Sequence, residues 1–229
     1  MGKQGYKNTT FDHLVFVRKF SNDDFIILLL YVNDMLIVGN NASRIDKLKK
    51  KLSQSFAIKD LSPAKQSLGI RINHEMNLNK LYLSKEKYIE KVLQRFHMDK
   101  AKMVSSLLAT HFKLSIERCP FTNAKKNHME RVSYTSKVGS LIYVMVCTRL
   151  DIAHVVNVAW RFMSNPEREH WNAIKWIMRN LRGTSSLRLS FVNGKPFLVG
   201  YTNVDMVRDV DTRKSISGYS ITFEDRAIA

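Results

Sequence analysis

The residue pair Asn33-Asp34 lies between two apolar runs, in the stretch FIILLLYVNDMLIVGN that covers 25–40. Two readings fit it. An Asn-Asp pair between strands makes a good turn, because both residues tolerate left-handed backbone. A carboxylate delivered to a tight turn by doubly buried strands is also a place for phosphoryl transfer, where paired carboxylates hold Mg²⁺. Here one member of the pair is a neutral amide. Other groups carry less: His111, Cys119 and His128 follow no compact metal-ligand spacing, and no Ser, His and Asp surround a nucleophile elbow. The lysines of KLKKKL (47–52), Lys47, Lys49, Lys50 and Lys51, read first as the solvated face of a helix and second as contacts to a phosphate backbone.

The elements that must position these residues follow from periodicity. Runs 13–20, 24–32 and 35–39 read as three antiparallel strands, the first two joined by the turn-rich SNDD and the last two apolar on both faces, as in a covered sheet. Over 41–57, Ile45, Leu48, Leu52 and Phe56 repeat at helical spacing. A short strand pair surrounds NHEMNLN (73–79), and the next helix is expected near 84–97 with Ser84 as its cap and Tyr88, Val92, Leu93 and Phe96 inside. Residues 100–132 are weakly patterned and read as a long irregular connection. Helices return at 134–148, 151–164 and 166–182; in the last, Asn165 caps, Pro166 takes the first position, Gly183 ends the run, and Trp171, Ile174, Ile177, Met178 and Leu181 share a face. Trp171 and Trp176 fall on different faces, so one of them is expected outside. The period then becomes two: Leu187, Leu189 and Phe191, a hairpin signal at Asn193-Gly194, Phe197, Val199 and Tyr201, and a third strand with Tyr219, Ile221 and Phe223.

The chain has 229 residues, 45% of them hydrophobic, which suits one large or two small packed domains. Lys and Arg number 37 against 20 Asp and Glu, a formal charge of +17, and a polyanion such as nucleic acid is the first partner to consider. A membrane surface is the rival, but no stretch is both strongly basic and strongly amphipathic. The two cysteines, Cys119 and Cys147, make no disulfide framework. The N-terminus has no apolar signal core, and Tyr6 occupies the place where a myristoylation signal needs Ser or Thr. An intracellular protein, cytoplasmic or nuclear and not secreted, is expected.

The stretch around Asn33-Asp34 resembles the catalytic hairpin of reverse transcriptases from copia-type LTR retrotransposons, those of plants above all. That family reads Tyr-Val-Asp-Asp where this chain has Tyr31, Val32, Asn33 and Asp34. SLGIRI (67–72) resembles its primer-gripping hairpin, LYLSKEKYIEKVLQRF (81–96) its thumb helix, 138–184 its connection, and GYTNVDMVRDVDTRKSISGY (200–219) the start of its RNase H domain. The resemblance implies an α+β fold with four parts: partial palm, 1–57; palm end and thumb, 58–110; helical connection, 111–184; and a truncated RNase H-like β-meander, 185–229. It implies RNA-directed DNA polymerase and ribonuclease H activities, Mg²⁺, a template-primer of RNA or DNA, and other Pol chains as partners.

The departures from the pattern fall on the expected metal ligands. Asn33 replaces the first aspartate of the polymerase pair, and the upstream strand bearing the third is expected to lie before Met1. Asp34 then stands where three acids belong, and Mg²⁺ binding there should be weak. Asn203 replaces the acid that follows Gly-Tyr-Thr; Asp205, Asp209 and Asp211 follow, and the remaining RNase H acids are expected beyond Ala229. The family's Trp-Ala-Gly-Asp reads Met206, Val207, Arg208, Asp209, and its Thr-Arg-Pro-Asp reads Thr148, Arg149, Leu150, Asp151. The expectation is a catalytically inactive remnant that keeps sequence-independent nucleic-acid binding through Lys47, Lys49, Lys50, Lys51 and Arg71. The alternatives are a relic without function and a chain active only beside an intact polyprotein.

Overall fold

The computed structural model describes residues 5–10, 12–61, 63–109, 112, 114, 133–192, 197–205, 216–223 and 226–228. The chain divides into two compact units, Met1–Ser67 and Leu68–Ala229. All described strand pairs are antiparallel, and helices accompany the sheets, so the α+β reading holds at the level of helices combined with antiparallel sheets.

In the first unit, β1 (Lys7–Asn8), β2 (Val15–Lys19), β3 (Phe25–Tyr31) and β4 (Asp34–Gly39) form one sheet in that order, and β5 (Gln66–Ser67) is a two-residue strand. Asn22 and Asp23 both take left-handed backbone (φ 68° and 57°), as a tight β2–β3 hairpin requires, so the SNDD turn stands. Helix α1 (Ala42–Ser55) is capped by Asn41, whose Oδ1 accepts from the Arg44 amide at 3.3 Å. Leu48 and Leu52 of α1 pack on Ile26 and Leu28 of β3, with Phe16, Met35 and Ile37 around them. Burying each such aliphatic side chain contributes roughly 1.5–3 kcal/mol. Two expectations fail here. Phe56 is not in the stripe, because the helix ends at Ser55 and Phe56 turns extended (φ −140°), leaving it 60% exposed. Among the described residues the second face is also not closed as expected: Leu29, Tyr31 and Val38, which point away from α1, are exposed.

In the second unit, β6 (Ile70–Glu75), β7 (Lys80–Ser84) and β8 (Leu189–Val192) run antiparallel in that order, with a tight turn through Met76–Leu78 and a left-handed Asn79. Helices α2 (Glu86–Arg95), α3 (Tyr134–Thr148), α4 (Ala153–Trp160) and α5 (Arg168–Gly183) surround a core of Ile89, Val92, Leu93, Val138, Leu141, Val144, Ile174, Ile177, Met178 and Leu181. Two caps differ from expectation. Ser84 ends β7 and its Oγ accepts from the Glu86 amide at 3.2 Å, while Lys85 takes the cap position. Helix α5 starts after Glu167, not at Pro166, because Glu167 and His170 exchange reciprocal side-chain-to-backbone bonds and satisfy the first turn. Tyr88 and Phe96 pack at the core's edge; the buried face of α2 is Ile89, Val92 and Leu93. Neither Trp171 nor Trp176 is exposed, and the exposed tryptophan is Trp160.

The connection after α2 is better defined than its composition. Carbonyls of Ala101, Lys102, Val104, Ser105 and Ser106 accept from side chains of α5: Arg182, Arg179 (2.6 Å), Asn180 (3.2 and 2.9 Å) and Trp176 (3.1 Å). At the other end, β8 pairs with β7 and not with the strand beyond Asn193-Gly194. The expected three-strand meander is therefore divided; its Asn193-Gly194 turn lies outside the described residues. β9 (Leu198–Asp205), β10 (Ile216–Phe223) and β11 (Arg226–Ala227) make a separate antiparallel sheet.

Candidate functional site

The apolar pattern fixes where the Asn33-Asp34 turn falls. Ile26↔Gly39, Leu28↔Ile37 and Leu30↔Met35 are paired, which puts Ile26, Leu28, Met35 and Ile37 toward α1. That register ends with Tyr31↔Asp34, so the two turn residues are Val32 and Asn33, and Asp34 opens β4. Val32 takes φ 50° and is 89% exposed. A β-branched residue is a poor occupant of left-handed backbone, and the strain is of order 1–3 kcal/mol. Sliding the register by one residue would relieve it and would turn the buried face of β4 to solvent. Burial of several aliphatic side chains outweighs one strained residue.

The tip therefore presents Asn33 and Asp34 side by side, both exposed. Among the described residues, no three His, Cys, Asp or Glu side chains come together as a metal-holding group. One exposed carboxylate beside a neutral amide is a poor fit to a pair of Mg²⁺ ions, which need anionic oxygens from several side chains. Asn203 and Asp205 lie on β9, paired with Gly218 and Ile216. Asp209, Asp211, His111, Cys119 and His128 lie outside the described residues.

The expected basic contacts separate into three kinds. Lys47, Lys50 and Lys51 are exposed on the outer side of α1 and make no ion pair among the described residues. Lys49 is half-buried and reaches Asp60 at 3.1 Å. Arg71 is exposed on β6 opposite Ser84. The helix is held in place from its other end, where Asp24 accepts from Arg44 Nε at 2.8 Å and from Asn41 Nδ2 at 3.0 Å.

Three inward-facing cations of the second unit escaped the sequence reading, since a charge is ordinarily assigned to the surface. Lys85 is 2% exposed; its Nζ donates to the Leu68 carbonyl at 2.6 Å and to the Tyr143 hydroxyl at 2.7 Å. It thereby braces the turn into β6, where Leu68 and Gly69 are both left-handed and a Cβ on Gly69 would stand 3.2 Å from that ammonium. Arg149 is held by Asp151 through two hydrogen bonds, at 2.9 and 2.7 Å. Lys137 lies over Phe96 and Trp171. Its position on the stripe with Leu141 and Val144 was the available signal.

Residues 1–109 match the reverse transcriptase (RNA-dependent DNA polymerase) family. Over 229 residues the chain is 54% identical to the retrovirus-related Pol polyprotein from transposon TNT 1-94 of Nicotiana tabacum, a match covering 100% of this chain and 17% of that one. The chain belongs to the copia-type transposon Pol family. The retrovirus-related Pol polyprotein from transposon RE1 of Arabidopsis thaliana is 33% identical over 218 residues, 95% of this chain and 14% of its own length. An uncharacterized mitochondrial protein of Arabidopsis thaliana is 30% identical over 193 residues, 84% of this chain and 76% of that protein. The chain thus spans less than a fifth of the two Pol polyproteins. No solved structure matches it. Among the described residues no helix is long and apolar enough to cross a membrane.

Proposed function

We propose that this Pol segment binds nucleic acid without regard to sequence and does not polymerise. In this reading the β2–β3–β4 sheet is palm-type, α2 is thumb, α3–α5 are connection, and β9–β11 open an RNase H-like domain. The observation that carries binding is the exposed outer face of α1, where Lys47, Lys50 and Lys51 project from a chain of charge +17. Each phosphate neutralised releases counterions, so affinity falls with salt in proportion to the contacts made. The inactive half of the reading rests on the donor set at the tip: Asn33 supplies a neutral oxygen where the two-metal mechanism needs an anionic one. A second reading, action beside other Pol chains, is favoured by the uncovered apolar face with Leu29, Tyr31 and Val38.

The test combines primer extension with a salt-titrated binding assay on the same RNA–DNA primer-template, with Mg²⁺ or Mn²⁺ present. The expected outcome is binding without extension, and a log K against log salt slope that becomes shallower by about 3 in the Lys47→Gln/Lys50→Gln/Lys51→Gln variant. Asn33→Asp tests whether one restored carboxylate suffices. Extension by the unaltered chain would refute the inactive reading; a slope unmoved by the lysine variant would refute the α1 assignment. Extension that appears only when an intact Pol chain is added would favour the second reading.

A further inference from the structure

In the second unit, three cations gather on two aromatic rings. Lys137, on α3 and 8% exposed, places Nζ 4.6 Å from the Phe96 ring centre and 4.3 Å from that of Trp171. Lys175, one turn along α5 from Trp171, lies 5.2 Å from the same indole. The Arg95 guanidinium, at the end of α2, lies 5.2 Å from Phe96. None of the three side chains makes a hydrogen bond or ion pair among the described residues. The other inward cations are compensated: Arg149 has a carboxylate, and Lys85 has a carbonyl and a hydroxyl. Among the described residues Lys137 has only ring faces, with further cations on those same rings.

Such a cluster is unfavourable in the free protein. Burial and the nearby Arg95 charge push the Lys137 ammonium below its ordinary value. Ring quadrupoles offset part of the repulsion, and an anion would offset the rest. Cations interleaved with aromatic rings are also the arrangement by which proteins follow a single nucleic-acid strand.

We propose that Lys137, Lys175 and Arg95, set on Phe96 and Trp171, form a second polyanion site that takes the phosphodiester backbone of a nucleic-acid strand. It lies in the second unit and shares no residue with the α1 face, though it rests on the nucleic-acid-binding reading given above.

The test uses the full chain and a single-stranded oligonucleotide, with inorganic phosphate as a separate probe. Arg95→Gln/Lys175→Gln is the main variant, since Arg95 is exposed and Lys175 only half-buried; Lys137→Met is the second, with thermal melting to check folding. Two quantities are read: the salt slope, and the part of the tryptophan fluorescence change that Trp171→Phe abolishes. The expected result is a slope shallower by about 1.4 in the double variant, with the Trp171 signal lost, while Lys47→Gln/Lys50→Gln/Lys51→Gln keeps that signal. Binding with slope and Trp171 signal intact in Arg95→Gln/Lys175→Gln would overturn the site and leave the α1 reading standing. A Trp171 response to inorganic phosphate but none to the oligonucleotide would also overturn it, marking a small-anion site. Failure of the unaltered chain to bind at low salt would overturn both readings.

Discussion

Arg149 and Asp151 form one ion pair in two different environments. The arginine side chain is 2% exposed and the carboxylate 47%. Nε and Nη2 of Arg149 donate to the two carboxylate oxygens at 2.9 and 2.7 Å, and Nη1 donates to the Thr184 carbonyl at 3.0 Å, tying the end of α3 to the end of α5. Asp151→Ala leaves the guanidinium buried with one neutral acceptor, and an uncompensated buried charge costs about 3–5 kcal/mol. Arg149→Met removes the buried charge, keeps much of the aliphatic stem, and releases a carboxylate that already reaches water. Its cost is the lost hydrogen bonds, about 1–2 kcal/mol net. Asp151→Ala should therefore be the worse substitution by about 2 kcal/mol, and the double variant should be more stable than Asp151→Ala alone. Urea unfolding followed by circular dichroism and tryptophan fluorescence measures this through the midpoint at fixed m value. Equal losses, or a double variant below both singles, would refute the argument that burial of the cation sets the asymmetry.

Val32→Asn should raise the stability of the first unit by about 0.5–1 kcal/mol, because Asn accepts the left-handed backbone at φ 50° and the exposed Val side chain gives up no burial; an unchanged or lower urea midpoint would mean the turn is unstrained. The two units should also diverge in alkali. Lys137 is lowered from 10.5, mainly by burial, so between its folded value and pH 10.5 the unfolded chain holds more protons and the second unit gains stability as pH rises. Tyr6 is raised from 10.0 by burial, so the first unit loses stability as pH climbs above 10.0 through the folded value. Tryptophan fluorescence follows the second unit, which holds Trp160, Trp171 and Trp176, and amide exchange in β3 follows the first; a falling slope in the second unit would contradict the Lys137 assignment, and a rising slope in the first would contradict that of Tyr6.

The helical core was legible because its signal is local and periodic: Ile174, Ile177, Met178 and Leu181 are buried as their spacing requires. The exposed lysines of α1 were legible for the same reason. What failed was non-local or reciprocal. The Asn193-Gly194 dipeptide is a local hairpin signal, but β8 found its partner in β7, more than a hundred residues earlier. The start of α5 was set by an exchange between Glu167 and His170, and His is not the partner that the usual capping box leads one to seek. At the turn, residue types favour Asn33-Asp34, yet the buried faces of β3 and β4 made Val32 the left-handed residue. The buried cation at 85 was hidden because its partners, the Leu68 carbonyl and the Tyr143 hydroxyl, lie 17 and 58 residues away and meet it only in the folded chain.

The strap at 101–106 has a consequence for the order in which the chain becomes fixed. Its side-chain bonds from α5 join positions 70 to 81 residues apart, and they come from four side chains of one helix. On a ribosome the strap emerges long before residues 176–182 exist to hold it. Its carbonyls stay hydrated until α5 forms and docks, so the strap sets late, and a lesion in α5 releases a segment that was made much earlier.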